Sequence, residues 1–313
     1  MATETTAGLE GIDWEGLEEQ YEDELEGVDE GGLIKARHWR LLRRIARHRI
    51  GMLGGIAILS LILIAVFAPV IAPFSPTHQD LINARQAPSS QHLMGTDGLG
   101  RDIFSRVVFG TREMFKIAII AIGFAFTVGT TLGSLAGYFG GWVDSVVQTG
   151  IDLTWSFPSI MVGLALAAIL SPNLITVLLA IGIVFWGLFA RLIRGEILSI
   201  KEEEYVKAAK AVGVSHRRIL LRHILPNAIV PAFVVATLQM GNAIAVEASL
   251  SFLGLGAQPP TPSWGLMLSS GREYLRTAWW IATFPGLAIV FVILSFNLLG
   301  DGLRDALDPK LKY

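Results

Sequence analysis

The sequence contains no cysteine, which excludes disulfides, thiolate metal sites and a cysteine nucleophile together. It has no G-x-x-x-x-G-K-[ST] phosphate loop, so the chain has no such means of binding and hydrolysing ATP itself. Its six histidines, at 38, 48, 78, 92, 216 and 223, give neither H-E-x-x-H nor another compact ligand spacing. His216 and His223 stand seven apart and can share a helical face, but surface histidines account for them without a metal. The run G-T-D-G-L-G at 95–100 has no strand before it and reads as a turn entering a helix. Charge is scarce too, at 17% of 313 residues. No enzyme mechanism can be assembled from what remains.

What is present is apolar and bunched. Hydrophobic residues make up 52% of the chain, and the mean hydropathy of +0.54 is too high for an ordinary soluble enzyme of this size. A membrane-crossing helix needs roughly 20 mostly apolar residues, since about 30 Å of hydrocarbon is crossed at about 1.5 Å per residue. Six runs meet or approach that length: Ile50 to Ala72, Met114 to Tyr138, Ile151 to Leu170, Leu174 to Ala190, Ala228 to Ala248 and Ala278 to Leu299. Pro158 interrupts the third, and Ser171, Pro172 and Asn173 form a tight turn into the fourth. The sequence predicts an all-α polytopic membrane protein with six transmembrane helices. The first run exceeds the h-region of a signal peptide and follows a hydrophilic stretch, so it is expected to stay uncleaved.

The net charge of −2 hides an asymmetry. Residues 1–30 hold nine Glu and three Asp with no Lys or Arg, and the stretch 1–34 reads as an acidic, disordered cytoplasmic tail. Residues 35–49 hold seven Lys and Arg, interleaved with Trp39, Leu41, Leu42 and Ile45, the pattern of a basic interfacial helix on membrane lipids. Its place directly before an apolar run argues against nucleic acid. Residues 50–313 then form the membrane domain. With the N-terminus inside, 18 Lys and Arg fall in inside segments and six outside, with Lys116 in the second span. That bias puts both termini and the 191–227 loop in the cytoplasm, and the 74–113 loop outside the cell membrane.

The charged island at 202–231 has the pattern helix, glycine turn, helix, proline stop. Tyr205, Ala208, Ala209 and Val212 recur at the spacing of one helical face, with Glu203, Lys207 and Lys210 largely opposite. Gly213 suits a left-handed helix end, Ser215 suits the N-cap of a second helix, and Pro226 limits how that helix continues. Within the spans, polar residues are few: Thr237, Gln239, Asn242 and Glu247 in the fifth and Asn297 in the sixth. Gln239, Asn242, Glu247 and Asn297 are candidates to line a pathway, and hydrogen bonding between helices is the competing role.

The 202–231 stretch resembles the cytoplasmic signature of membrane subunits of ATP-binding-cassette importers: E-A-A, three residues, G, nine residues, I-x-L-P. Ala208, Ala209, Gly213, Leu225 and Pro226 match in register, while Lys207 replaces the glutamate and His223 the isoleucine. The ending R-H-I-L-P-N, Arg222 to Asn227, is similar to the dipeptide, oligopeptide and nickel branch. So is the block Gly95, Thr96, Asp97, Gly100, Arg101, Asp102 and Arg106, in which Asp97 with Arg101 and Asp102 with Arg106 are i, i+4 pairs suited to a short surface helix. A third block runs from Glu247 to Gly256 and continues to Pro259, Pro260, Trp264 and Gly265, and a fourth closes the chain at Gly300 to Asp305 with Asp308-Pro309.

The resemblance implies a type I importer permease fold and a non-catalytic subunit that holds no cofactor, with ATP and Mg bound by partners. Those partners would be a second permease subunit, two ATP-binding subunits and an extracellular solute-binding protein. Coupling to the ATPase would run through Glu204, Tyr205, Lys207, Ala208, Ala209, Gly213, Ser215, Arg218 and Pro226. The implied cargo is di- or oligopeptide, with nickel or another small solute as the alternative. Two other classes stay open at this point: an ATP-independent channel or secondary transporter, and a membrane-embedded enzyme, which lacks the buried His, Glu and Asp clusters it would need.

Overall fold

In hydrocarbon, every backbone N–H and C=O must find its partner inside the protein, and helices do this within a single segment. The computed structural model describes residues 49–307, and the only β-pairing among them is an isolated bridge between Thr96 and Asp102. The helices of eight residues or more are α1 (Arg49–Val66), α2 (Ile103–Phe139), α3 (Gly141–Trp155), α4 (Ser159–Leu170), α5 (Leu174–Ile200), α6 (Glu204–Ala211), α7 (His216–Phe252), α8 (Trp264–Gly271) and α9 (Trp280–Leu307). The tail expected over 1–34 and nearly all of the interfacial helix expected over 35–49 lie outside the described residues.

The six expected runs become helices of unequal length among the described residues. Among the described residues, α2, α5, α7 and α9 are long and apolar enough to cross a membrane, and α3 with α4 makes a fifth span if that bent pair counts as one. The apolar part of α1, Ile50–Val66, is shorter. The third run is broken at Pro158, which offers no N–H and itself sits in extended backbone with ψ of 139°, and α3 and α4 meet at 88°. At the other end of α4, Ser171 adopts a φ of 68°, and the Asn173 side chain accepts from the Thr176 N–H at 2.9 Å to open α5. The tight turn is as expected.

Apolar runs also understate helix length. With 37 residues, α2 spans about 55 Å, well beyond one bilayer, and it begins eleven residues before the expected Met114. Its start is set by Asp102, whose carboxylate accepts from the Ser105 N–H at 2.7 Å.

The largest helix interface is between α2 and α5. Lipid is as apolar as leucine, so such contacts rest on close packing, which small residues allow. Gly129, Gly133 and Gly137 face the α5 backbone at Trp186, Ala190 and Arg194, and a Cβ on Gly133 would run into the Ala190 carbonyl. Phe189, Ala190, Ile193 and Ile197 are wholly buried along this seam. Elsewhere α1 packs on α9, α7 crosses both α9 and α2, and α8 lies against α9 and α7.

The connection from α1 to α2 is a compact polar cap rather than the expected surface helix. Asp97 accepts from the N–H groups of Leu99 and Arg101 at 2.9 and 3.0 Å and from Arg101 Nε at 2.7 Å, which makes a turn. Asp102 is committed to its helix-capping bond and to His92 Nδ1 at 2.9 Å, so Arg106 does not pair with it. Instead Arg106 donates to the Pro76 carbonyl at 2.7 Å and lies 3.8 Å from Asp97. Asp97, Asp102 and Arg106 are all buried. Gly95 and Gly100 take φ of +77° and +75°, and a Cβ on Gly100 would overlap the Asp80 carbonyl. Thr96 closes the turn onto Asn83 and Gln86, and its carbonyl accepts from Trp280 Nε1 at 3.2 Å, fastening the cap to α9.

Two outcomes follow from this packing. Gly133→Val is expected to destabilise the protein by about 1–3 kcal/mol through overpacking of the α2–α5 seam, seen as a lowered melting temperature in detergent. Asp102→Ala removes a helix cap and the partner of a buried histidine, so unfolding should become easier by about 1–3 kcal/mol, with Asp102→Asn recovering part of the loss.

Candidate functional site

The hairpin between α5 and α7 is built on one anchor. Within the two turns of α6, Val206 is wholly buried, with Ala209 and the following Val214 packed on the same core. The apolar face expected from spacing is therefore divided. Tyr205, Ala208 and Val212 point outward, Val212 with 79% of its surface exposed, because the face one position further along meets the spans. Glu204, Lys207, Ser215 and Arg218 are also exposed, and Lys207 pairs with Glu202 at 3.2 Å in a solvated contact that adds little stability.

Gly213 ends α6 at a φ of +79°, with the Val214 N–H returning to the Ala209 carbonyl at 3.1 Å. Nothing crowds this glycine, so its backbone angle alone calls for the residue type. Ser215 has the extended backbone of an N-cap but makes no side-chain capping bond. The proline stop does not occur. Pro226 falls inside α7, which runs unbroken from His216 to Phe252 by way of a π turn at Ile219–Ile224. The wide turn sits directly before the proline, where the missing N–H would interrupt an α-helical ladder. The Asn227 side chain donates to the His223 carbonyl at 3.3 Å, and long contacts of 3.4 Å join the Tyr205 hydroxyl to both residues.

Residues that spacing could not reveal hold the hairpin. Tyr138, buried at the end of α2, bonds through its hydroxyl to His216 Nδ1 at 2.8 Å, and its carbonyl accepts from Lys201 Nζ at 2.7 Å. Entry and exit of the hairpin are thus tied to one residue of α2. Beside it, Arg194 grips Asp144 in a bidentate pair at 2.5 and 2.6 Å. Arg191 reaches Asp152 at 2.9 Å while its guanidinium lies 4.2 Å from the centre of the Trp155 ring. Both pairs fasten α3 to α5. Their partners stand 50 and 39 residues apart, beyond any helical periodicity.

The polar residues within the spans divide. Asn242 is exposed and donates to Gln239 at 2.6 Å; Asn297 on α9 is half-buried beside Gly241. Glu247 lies wholly inside the chain, where Ser251 and Ser263 donate to its Oε1 at 2.6 and 3.1 Å and Oε2 has no hydrogen-bond partner among the described residues. It ties α7 to the segment that opens α8, away from Gln239 and Asn242. The described residues contain no group of three His, Asp or Glu placed to hold a metal.

Residues 129–313 match the family described as binding-protein-dependent transport system inner membrane component, and residues 38–88 match the N-terminal transmembrane domain of oligopeptide transport permease C. The chain is 46% identical over 275 residues to the dipeptide transport system permease protein of Alkalihalophilus pseudofirmus, covering 88% of this chain and 90% of that one. It is 43% identical over 276 residues to the glutathione transport system permease protein of Pectobacterium atrosepticum, covering 88% and 92%. A solved structure described as inward-facing conformations of the MetNI methionine ABC transporter aligns with a TM-score of 0.48 at 17% identity, over 65% of this chain and 97% of that one. With the family match extending over more than half of its length and relatives this similar, the chain belongs to the inner membrane components of binding-protein-dependent transport systems, in the peptide branch of the ATP-binding-cassette importers.

Proposed function

We propose that this chain is the type I permease subunit of an ATP-driven importer of short peptides. It forms half of the pathway, the other half coming from a second permease subunit, and an extracellular solute-binding protein delivers the cargo. Two partner subunits bind ATP and Mg and hydrolyse the nucleotide. In this reading the membrane is crossed six times, by α1, α2, the bent pair α3 and α4, α5, α7 and α9, with both termini in the cytoplasm as the Lys and Arg bias favours. Peptide cargo is supported by the names of the relatives, which transport dipeptides and glutathione.

The observation that carries the proposal is the divided hairpin. Val206 roots α6 in the spans, while Tyr205, Ala208 and Val212 leave an uncovered small and apolar face suited to a partner protein. Displacement of α6 by an ATPase subunit would travel through Gly213 and the His216 end of α7 to Tyr138. Ala208→Glu and Val212→Asp are expected to leave the chain in the membrane while lowering co-purification of the ATPase subunits and abolishing peptide uptake. Unchanged co-purification and uptake in both variants would overturn the assignment. Tyr138→Phe keeps the ring and the Lys201 contact but loses the His216 bond. It should preserve assembly and lower the peptide moved per ATP hydrolysed, measured in vesicles with labelled dipeptide.

A further inference from the structure

A groove of about 580 Å³ opens on the outside of the bundle between α1, α2 and α9. Its size lies within the range of about 300–1,000 Å³ typical of ligand pockets. Ile58, Ile62 and Val66 of α1 and Ile120 of α2 line it, and Arg112 and Lys116 of α2 also border it. Ile62, Val66 and Ile120 are each more than 40% exposed, as side chains facing lipid are. From Ile58 to Val66 the α1 wall runs about 12 Å, close to the roughly 15 Å of hydrocarbon in one leaflet. An extended acyl chain matches that length and chemistry.

The two cations determine which lipid. Arg112 and Lys116 are one helical turn apart and share a face. The Lys116 ammonium lies 2.8 Å from the Glu113 carboxylate, whereas Arg112 has no ion-pair or hydrogen-bond partner among the described residues. The mouth therefore carries two positive charges against one negative. A guanidinium at the edge of hydrocarbon is best matched by an anion, and its planar fork fits two phosphate oxygens. A phosphodiester with no cationic headgroup supplies that anion, whereas a zwitterionic lipid brings its own ammonium towards Arg112. We infer that this groove binds one anionic phospholipid, its phosphate on Arg112 and Lys116 and one acyl chain along Ile58, Ile62 and Val66.

The site is separate from the coupling hairpin and does not depend on the proposed transport cargo. The importer, purified whole in detergent, would be given equal phosphatidylglycerol and phosphatidylcholine of matched chains, and the retained lipid read by native mass spectrometry. Wild type should prefer phosphatidylglycerol, and each of Arg112→Ala and Lys116→Ala should cut that preference about fivefold, the ratio given by ~1 kcal/mol per basic side chain near an anionic surface. Ile62→Trp, which narrows the groove along its α1 wall and leaves the cations in place, should lower retention of both lipids. Because this chain has no cysteine, Ile62→Cys provides its single thiol for a photocrosslinker, and labelling of the importer with wild-type chain gives the background from other subunits. Capture of phosphatidylglycerol would support the site. Equal retention of the two lipids by wild type, an unchanged preference in both cation variants, or crosslinking of Ile62→Cys only to another protein chain would overturn it.

Discussion

The structure depends on how closely two backbones approach. Apolar side chains gain nothing from meeting each other rather than lipid, so α2 and α5 hold together through interlocking shape along Gly129, Gly133 and Gly137. This seam also sets the position of the polar groups beyond it. Tyr138 lies one residue past Gly137, and Lys201 follows the last turn of α5, so the contact between them is a continuation of the seam. Had the glycines been larger, the two helix ends would stand too far apart to share a hydrogen bond.

Polar contacts take over where the helices leave the apolar layer. At one end the cap around Asp97, Asp102 and Arg106 closes the α1 to α2 connection and reaches α9 through Trp280. At the opposite end of α2, Arg191 and Arg194 bind α3, and Tyr138 binds both arms of the hairpin. The apolar middle is thus braced at each end by hydrogen bonds and ion pairs whose members are far apart in sequence. A sliding or tilting motion of the spans has to alter these braces or carry them along.

Much of this was legible in the sequence. The apolar runs locate α2, α5, α7 and α9, and Pro158 and the Ser171 to Asn173 turn mark real breaks. Glycine at 213 announces its left-handed backbone. What was hidden depends on three dimensions. Spacing alone paired Asp102 with Arg106, but the aspartate is occupied by a helix end and by His92, which lies ten residues earlier. Spacing found a face on α6 but could not say which side meets the spans, since Val206 is one position from Tyr205 and falls just beside that face. Pro226 looked like a terminator because its local cost is real; a change of helix type absorbed it. Glu247 stood out as the acid in a span, and its hydroxyl partners include Ser263, sixteen residues away in the approach to another helix.

The π turn at Ile219–Ile224 has a geometrical result for the whole of α7. An α-helix advances about 100° per residue, so one surplus residue turns everything beyond it by about that angle relative to a regular continuation. The hairpin and the membrane part of α7 are therefore out of phase. A helical wheel drawn from His216 assigns Gln239 and Asn242 to the wrong compass bearing by roughly a quarter turn. The azimuth at which α7 presents its amides is set by the width of a single turn near Pro226.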